Sequence, residues 1–120
     1  MTILDRLRDI VGEYHVFEEK EGGKYGADWT HSYKFKPLAV VRPADTQQVS
    51  EVVKFANEEK VAIVPMGGNT GLAGGTHAEG ALVLSLERLN TIREVRKSSR
   101  IAVVEAGVIL DSLDHAVDAY

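Results

Sequence analysis

Residues 65–75 read P-M-G-G-N-T-G-L-A-G-G, with five glycines, one asparagine and one threonine in eleven positions. A run this poor in side chains serves where the backbone must take φ > 0 or where another group must approach it closely. Two readings stand here: a loop that binds an anion, phosphate being the first candidate, and a plain turn between strands. What the run lacks narrows its chemistry. A dinucleotide fingerprint needs glycines at its first, third and sixth positions, but Asn69 follows Gly67 by two, Thr70 follows Gly68, and Ala73 follows Gly71. A P-loop needs Gly-Lys-Ser/Thr, and no lysine occurs from Pro65 to Glu87. The remaining donors are backbone N–H groups, the Asn69 amide and the Thr70 hydroxyl. Successive amides can form a nest that holds a phosphate through dipoles, without a cation. Such a loop suits a diphosphate shared among several loops.

The other reactive side chains are scattered. His15, His31, His77 and His115 lie at least sixteen residues apart, so they form no local metal pair, and each is expected at the surface or in packing. His77, at the exit of the glycine run, stays open between a ligand contact and a solvated strand entry. There is no cysteine, which removes disulfides, thiolate metal sites and a thiol nucleophile and fits a reducing compartment.

The elements around the run place it well. Leu38 to Val41 is a short apolar, β-branched run between Pro37 and Pro43, the pattern of a buried strand. Asp45 or Thr46 then caps a helix to about Lys60, with Gln48 three residues past Asp45 and Val49, Val52, Val53 and Ala56 on its apolar face. Residues 61–64, V-A-I-V, make a second buried strand. A strand, a helix and a strand predict a βαβ unit with parallel strands and a right-handed crossover. The glycine run then leaves the carboxyl end of the second strand, where open α/β sheets bind ligands.

On either side, Ile3, Leu4, Leu7, Ile10 and Val11 predict an amphipathic first helix ended by Gly12. Residues 18–33 carry three glycines and no persistent period, so a loop is expected there, anchored by Trp29 and Tyr33. A third strand is predicted over 81–86, a β-hairpin over 90–95 and 100–105 about the turn R-K-S-S, and a final helix from Leu110, Leu113, Ala116, Val117 and Tyr120. Ser85 ends the third strand at the same edge as the glycine run, as a ligand contact or a packing serine. The fold class expected is α/β (α+β).

Composition agrees with one globular unit. The 120 residues are 44% hydrophobic and 27% charged, and the net charge is −4, which argues against disorder and, with no basic cluster longer than a pair, against a nucleic-acid partner. No apolar run approaches a bilayer span and the first residues lack a signal-peptide core, so no transmembrane segment and a cytoplasmic location are expected. No internal repeat is found.

The order L-A-V-V-R-P, capped helix, P-M-G-G-N-T-G-L-A-G-G, A-L-V-L-S-L-E-R-L-N-T-I and V-V-E-A-G-V-I-L resembles the N-terminal half of the FAD-binding domain of FAD-linked oxidases. That is the vanillyl-alcohol-oxidase superfamily, whose domain is of the p-cresol-methylhydroxylase (PCMH) type. The Y-G-A-D-W-T at 25–30 and the G-G-N-T-G-L core are most similar to D-lactate, glycolate and D-2-hydroxyglutarate dehydrogenases.

The resemblance implies that Gly67, Gly68, Asn69, Thr70 and Gly71 bind the FAD pyrophosphate, with Leu72 at the following apolar position; Pro65, Gly75 and, from its place at the strand end, Ser85 complete the candidate cofactor-binding set. Pro43 and Pro65 match prolines that frame the FAD cleft. Met66 departs from the Gln or Arg often found there, and Asn69 stands where covalent members carry His, which implies non-covalent FAD. Asp28 and Trp29 match the pattern without a chemistry of their own.

The resemblance also implies a division at 1–34, helix and loop, and 35–120, an incomplete FAD-binding domain. A second flavin-contacting segment and a cap domain with the catalytic residues would follow in a longer parent, so no catalytic residue is assigned here and the chain alone is expected to be inactive. The function implied is the cofactor-holding part of an enzyme oxidising a small D-2-hydroxy acid by hydride transfer to flavin N5. The alternative is a non-catalytic α/β module, or a truncated product, that binds another phosphate ligand or a partner chain. Homo-oligomer formation through an exposed apolar face is a further expectation.

Overall fold

A computed structural model describes residues 2–18, 36–68 and 78–118. Helix α1 (Ile3–Val11) begins in a capping box: Thr2 Oγ1 accepts the Asp5 N–H (3.1 Å) and the Asp5 carboxylate accepts the Thr2 N–H (3.2 Å). Gly12 ends it at φ 98°, a conformation that costs glycine nothing. The chain then turns through residues 13–15 into β1 (Val16–Glu18).

The remaining elements are β2 (Ala39–Val41), α2 (Thr46–Glu59), β3 (Ile63–Met66), β4 (Leu82–Ser85), β5 (Ile92–Arg96), β6 (Ile101–Val104) and α3 (Leu110–Val117). The α/β class, the capped helix, the hairpin and the final helix are as the sequence leads one to expect. Asp45 is the cap of α2, its Oδ1 accepting the Gln48 N–H at 2.8 Å.

Four strands form a sheet in the order β1-β2-β4-β3. β2, β4 and β3 are parallel, and β1 runs antiparallel to β2. β2 and β3 are thus parallel, as predicted, but β4 lies between them. Sequence-local patterns define a crossover unit without saying what fills the space it leaves. The β3 strand also begins two residues later than the apolar run 61–64. Lys60 takes a left-handed conformation (φ 58°) and the Val61 N–H bonds to Ala56 O (2.9 Å), so this part of the run goes into leaving α2. β3 instead includes Pro65, which an edge strand accommodates because its missing N–H breaks no interior ladder.

The central position of β4 accounts for its sequence. All four of its residues are buried, as are all three of β2, which is why both read as continuous apolar runs. Leu82 and Leu84 join Ala39, Val41, Val52, Phe55 and Leu7 on the face covered by α1 and α2. Val83 and Val40 point to the other face, against Met66, Ala78 and Ala81. β5 and β6 form a separate antiparallel pair with an irregular register between Ile92 and Glu94. No helix among the described residues is long and apolar enough to cross a membrane.

Candidate functional site

The parallel strands β2, β4 and β3 all end at one edge, at Val41, Ser85 and Met66. A turn at 86–89 ties these exits together. The Leu86 N–H bonds to Met66 O (2.9 Å), the Leu89 N–H to Leu86 O (2.9 Å), and the Gly107 N–H to Leu89 O (2.8 Å). Gly107 is there because nothing larger fits: a Cβ on it would overlap the Leu86 carbonyl and lie 2.8 Å from Leu89 O. This contact brings the root of the β5–β6 hairpin and the start of α3 against the turn after β4, which is itself bonded to the end of β3.

Between them lies a cleft of about 490 Å3 lined by Gly68, Val108, Ile109, Leu110, Asp111 and Asp114. The Gly67 and Gly68 N–H groups donate to no described residue. The N-cap position of α3, Ile109, provides no side-chain cap, so the first amides of that helix also lack one. The cleft therefore has amide donors on the glycine side and the carboxylates of Asp111 and Asp114 opposite. Amides suit phosphate oxygens, and carboxylates accept hydrogen bonds from hydroxyls while repelling phosphate. That polarity fits a long ligand carrying both groups better than a lone phosphate ion.

At the other end of the same edge, Arg42 follows β2 and Glu87 and Arg88 follow β4. Arg42 Nη1 meets Glu87 Oε1 (3.3 Å), its Nη2 donates to Tyr14 O (3.3 Å) and contacts His15 Nδ1 (3.0 Å), and its guanidinium lies 4.7 Å from the centre of the Phe17 ring. Arg88 Nη1 donates to Arg42 O (2.8 Å). Burial, then the Arg88 and Arg42 charges, hold the His15 imidazole below its ordinary pKa of 6.5 against the opposing pull of Glu87.

Pro65 is exposed in β3, and Gly67 and Gly68 follow its end, Gly68 lining the cleft. Ser85 pairs in register with Met66 and is only 1% exposed, with its Oγ 3.5 Å from the Glu87 N–H. Asn69, Thr70, Gly71, Leu72, Gly75, His77, His31, Asp28, Trp29 and Tyr33 lie outside the described residues. His115 Nδ1 contacts Asp111 O (2.8 Å) on its own helix. No group of three His, Cys, Asp or Glu able to hold a metal exists among the described residues. Sequence reasoning did not pick out Gly107, Arg42 or the turn 86–89. A glycine directly after a strand, in E-A-G-V, was the available signal for the first; nothing local signals the Arg42 contacts.

A family profile described as "FAD binding domain" matches residues 37–120. D-2-hydroxyglutarate dehydrogenase of Xanthomonas citri pv. viticola is 45% identical over 93 residues, covering 77% of this chain and 20% of that protein. Glycolate oxidase subunit GlcD of Bacillus subtilis is 36% identical over 120 residues, covering 98% of this chain and 25% of that protein. Among solved structures, substrate-bound p-cresol methylhydroxylase superposes with a TM-score of 0.81 at 25% identity, covering 97% of this chain and 24% of its own. The chain thus spans a fifth to a quarter of the length of these proteins.

Proposed function

Since the chain belongs to the FAD binding domain family, we propose that it holds FAD for a flavoprotein that oxidises a small D-2-hydroxy acid of the lactate, glycolate or 2-hydroxyglutarate type. The observation that carries this reading is that Gly67, Gly68 and Gly107 come together at one sheet edge beside a cleft, where the Gly67 and Gly68 N–H groups donate to no described residue. The diphosphate is assigned to Gly67, Gly68, Asn69, Thr70 and Gly71, with Leu72, Gly75, Pro65 and Ser85 around it. Asp111 and Asp114 suit the hydroxyl-bearing part of the cofactor. Asn69 offers no imidazole to attack a flavin methyl, so the association is non-covalent.

When bound, the flavin supplies acceptance of a hydride, and the chain's own residues bind and orient it. The groups that take the substrate proton are assigned to the rest of a longer parent, as is the substrate pocket. Within that parent, residues 35–120 form the first part of the FAD-binding domain and 1–34 precede it. The cytoplasm is the compartment this reading assumes.

Titrating FAD into the chain and following flavin fluorescence tests the proposal. Saturable quenching that is lost in Gly71→Val, which fills the nest, is expected. A Gly71→Val chain that binds FAD as tightly as the native one would remove the loop from the site. A melting shift with inorganic phosphate and none with FAD would favour a different phosphate ligand.

A further inference from the structure

Resting on that cofactor reading, we propose that Arg42 is a positioning residue for the cofactor edge and that His15 makes its grip pH-dependent. Arg42 touches nothing in the cleft. It acts through the turn 86–89, which carries the Met66 and Gly107 hydrogen bonds that shape the cleft wall. The Arg42 N–H bonds to His15 O (2.9 Å), its carbonyl receives Arg88 Nη1, and its two Nη groups reach Glu87, Tyr14 O and His15. One side chain therefore fastens the segment 13–17, the exit of β2 and the turn after β4. Its Nε is buried with no acceptor among the described residues. A donor left this way is unfavourable, so its neighbours on the same guanidinium must outweigh it.

Arginine has donors only, so at 3.0 Å the His15 Nδ1 must be the acceptor and the ring proton must sit on Nε2. Protonating Nδ1 turns that acceptor into a second donor. It also sets an imidazolium beside Arg42 and Arg88, with Glu87 as the one acid acting on it among the described residues. Because the folded chain binds this proton less readily than the unfolded one, the contact contributes fully above pH 6.5 and is lost as pH falls below it. The Arg42 side chain then loses one of its three partners, so its remaining hold on Glu87 is less fixed, and the cleft wall loosens with the turn.

Amide hydrogen exchange on the 120-residue chain, expressed as protection factors from about pH 7.5 to about pH 5, reads this directly. Protection at Leu86, Leu89 and Gly107 is expected to drop roughly tenfold below pH 6.5, the scale of one hydrogen bond from a charged donor, while Phe55 in α2 holds steady. His15→Asn keeps an acceptor oxygen and cannot titrate, so its protection should be flat with pH. Arg42→Lys should show low protection at the turn at every pH, since one ammonium cannot span three partners.

Identical pH profiles for the native chain and His15→Asn would overturn the proposal, and that comparison decides even if Arg42→Lys does not fold. FAD affinity should weaken across the same interval by a similar factor. A pH-independent affinity over a loosening turn would overturn the positioning role. Complete absence of FAD binding would instead sink the cofactor reading and leave the exchange result standing.

Discussion

The backbone of Gly107 lies against the carbonyl of Leu86 so closely that a methyl group has no place between them. This contact joins the hairpin root to the turn after the central strand and gives the cleft its second wall. Gly107→Ala should therefore cost about 1–3 kcal/mol, the usual range for forcing a methyl into a filled space. Urea unfolding measures the stability loss. FAD titration under native conditions should show weakened binding as well. An unchanged unfolding midpoint would mean that the contact is not kept in solution.

Leu82 is fully buried in the central strand, between β2 and β3 and under α2. Leu82→Ala leaves a cavity that the flanking strands cannot close without breaking their ladders. A loss of about 2–5 kcal/mol in urea unfolding is expected.

The Asp45 carboxylate satisfies one of the free amides at the start of α2. Asp45→Ala should cost about 1 kcal/mol, and Asp45→Asn much less, since an amide oxygen also caps. Comparing the urea midpoints of the two variants checks this.

Glu105 holds its carboxyl below the ordinary value of 4.5, first through the Thr91 N–H (2.9 Å) and then through Arg93. A carboxylate that resists protonation in the folded state contributes above its unfolded pKa, and the contribution is lost as pH falls. The acid limb of the stability profile below about pH 4.5 should be shallower in Glu105→Gln. Chemical denaturation at stepped pH reads the slope. A slope equal to the native one would remove Glu105 from the acid response.

Ile109 is 50% exposed and Leu110 is 71% exposed, and α3 buries no residue. An apolar surface of this kind favours self-association. Light scattering should show mass rising with concentration, and Leu110→Asn should reduce the rise. A monodisperse monomer at high concentration would contradict it.

Helices and class were legible because period and caps are local: the apolar spacing from Ile3 to Val11 marked the first helix and Gly12 its end, and Asp45 announced the second. Pairing was not legible. Nothing in A-V-V, I-V-P-M or L-V-L-S says that the last of them sits between the other two. β1 escaped notice because V-F-E is three residues long and ends on an acid; its place is set by the ladder from Val16 to Val41. Pro65 suggested an end to a strand that in fact continues, because the edge position tolerates it. Gly67, Gly68 and Ser85 were picked out from glycine density and strand ends, and all three lie at the carboxyl edge of the parallel strands. Arg42 and Gly107 act through partners 45 and 21 residues away, Glu87 and Leu86, a separation that no window of sequence spans.

The insertion of β4 between β2 and β3 also bears on how the chain is made. A nascent chain emerging from the ribosome completes β2, α2 and β3 before β4 exists, and those two strands have no ladder with each other. Until residue 85 is out, the sheet has a gap at its centre and the apolar faces of both flanking strands are unpaired. Closing it requires β4 to make ladders with both neighbours. Contacts of this non-local kind slow folding, so the interval before β4 arrives is when this chain is most open to misassociation.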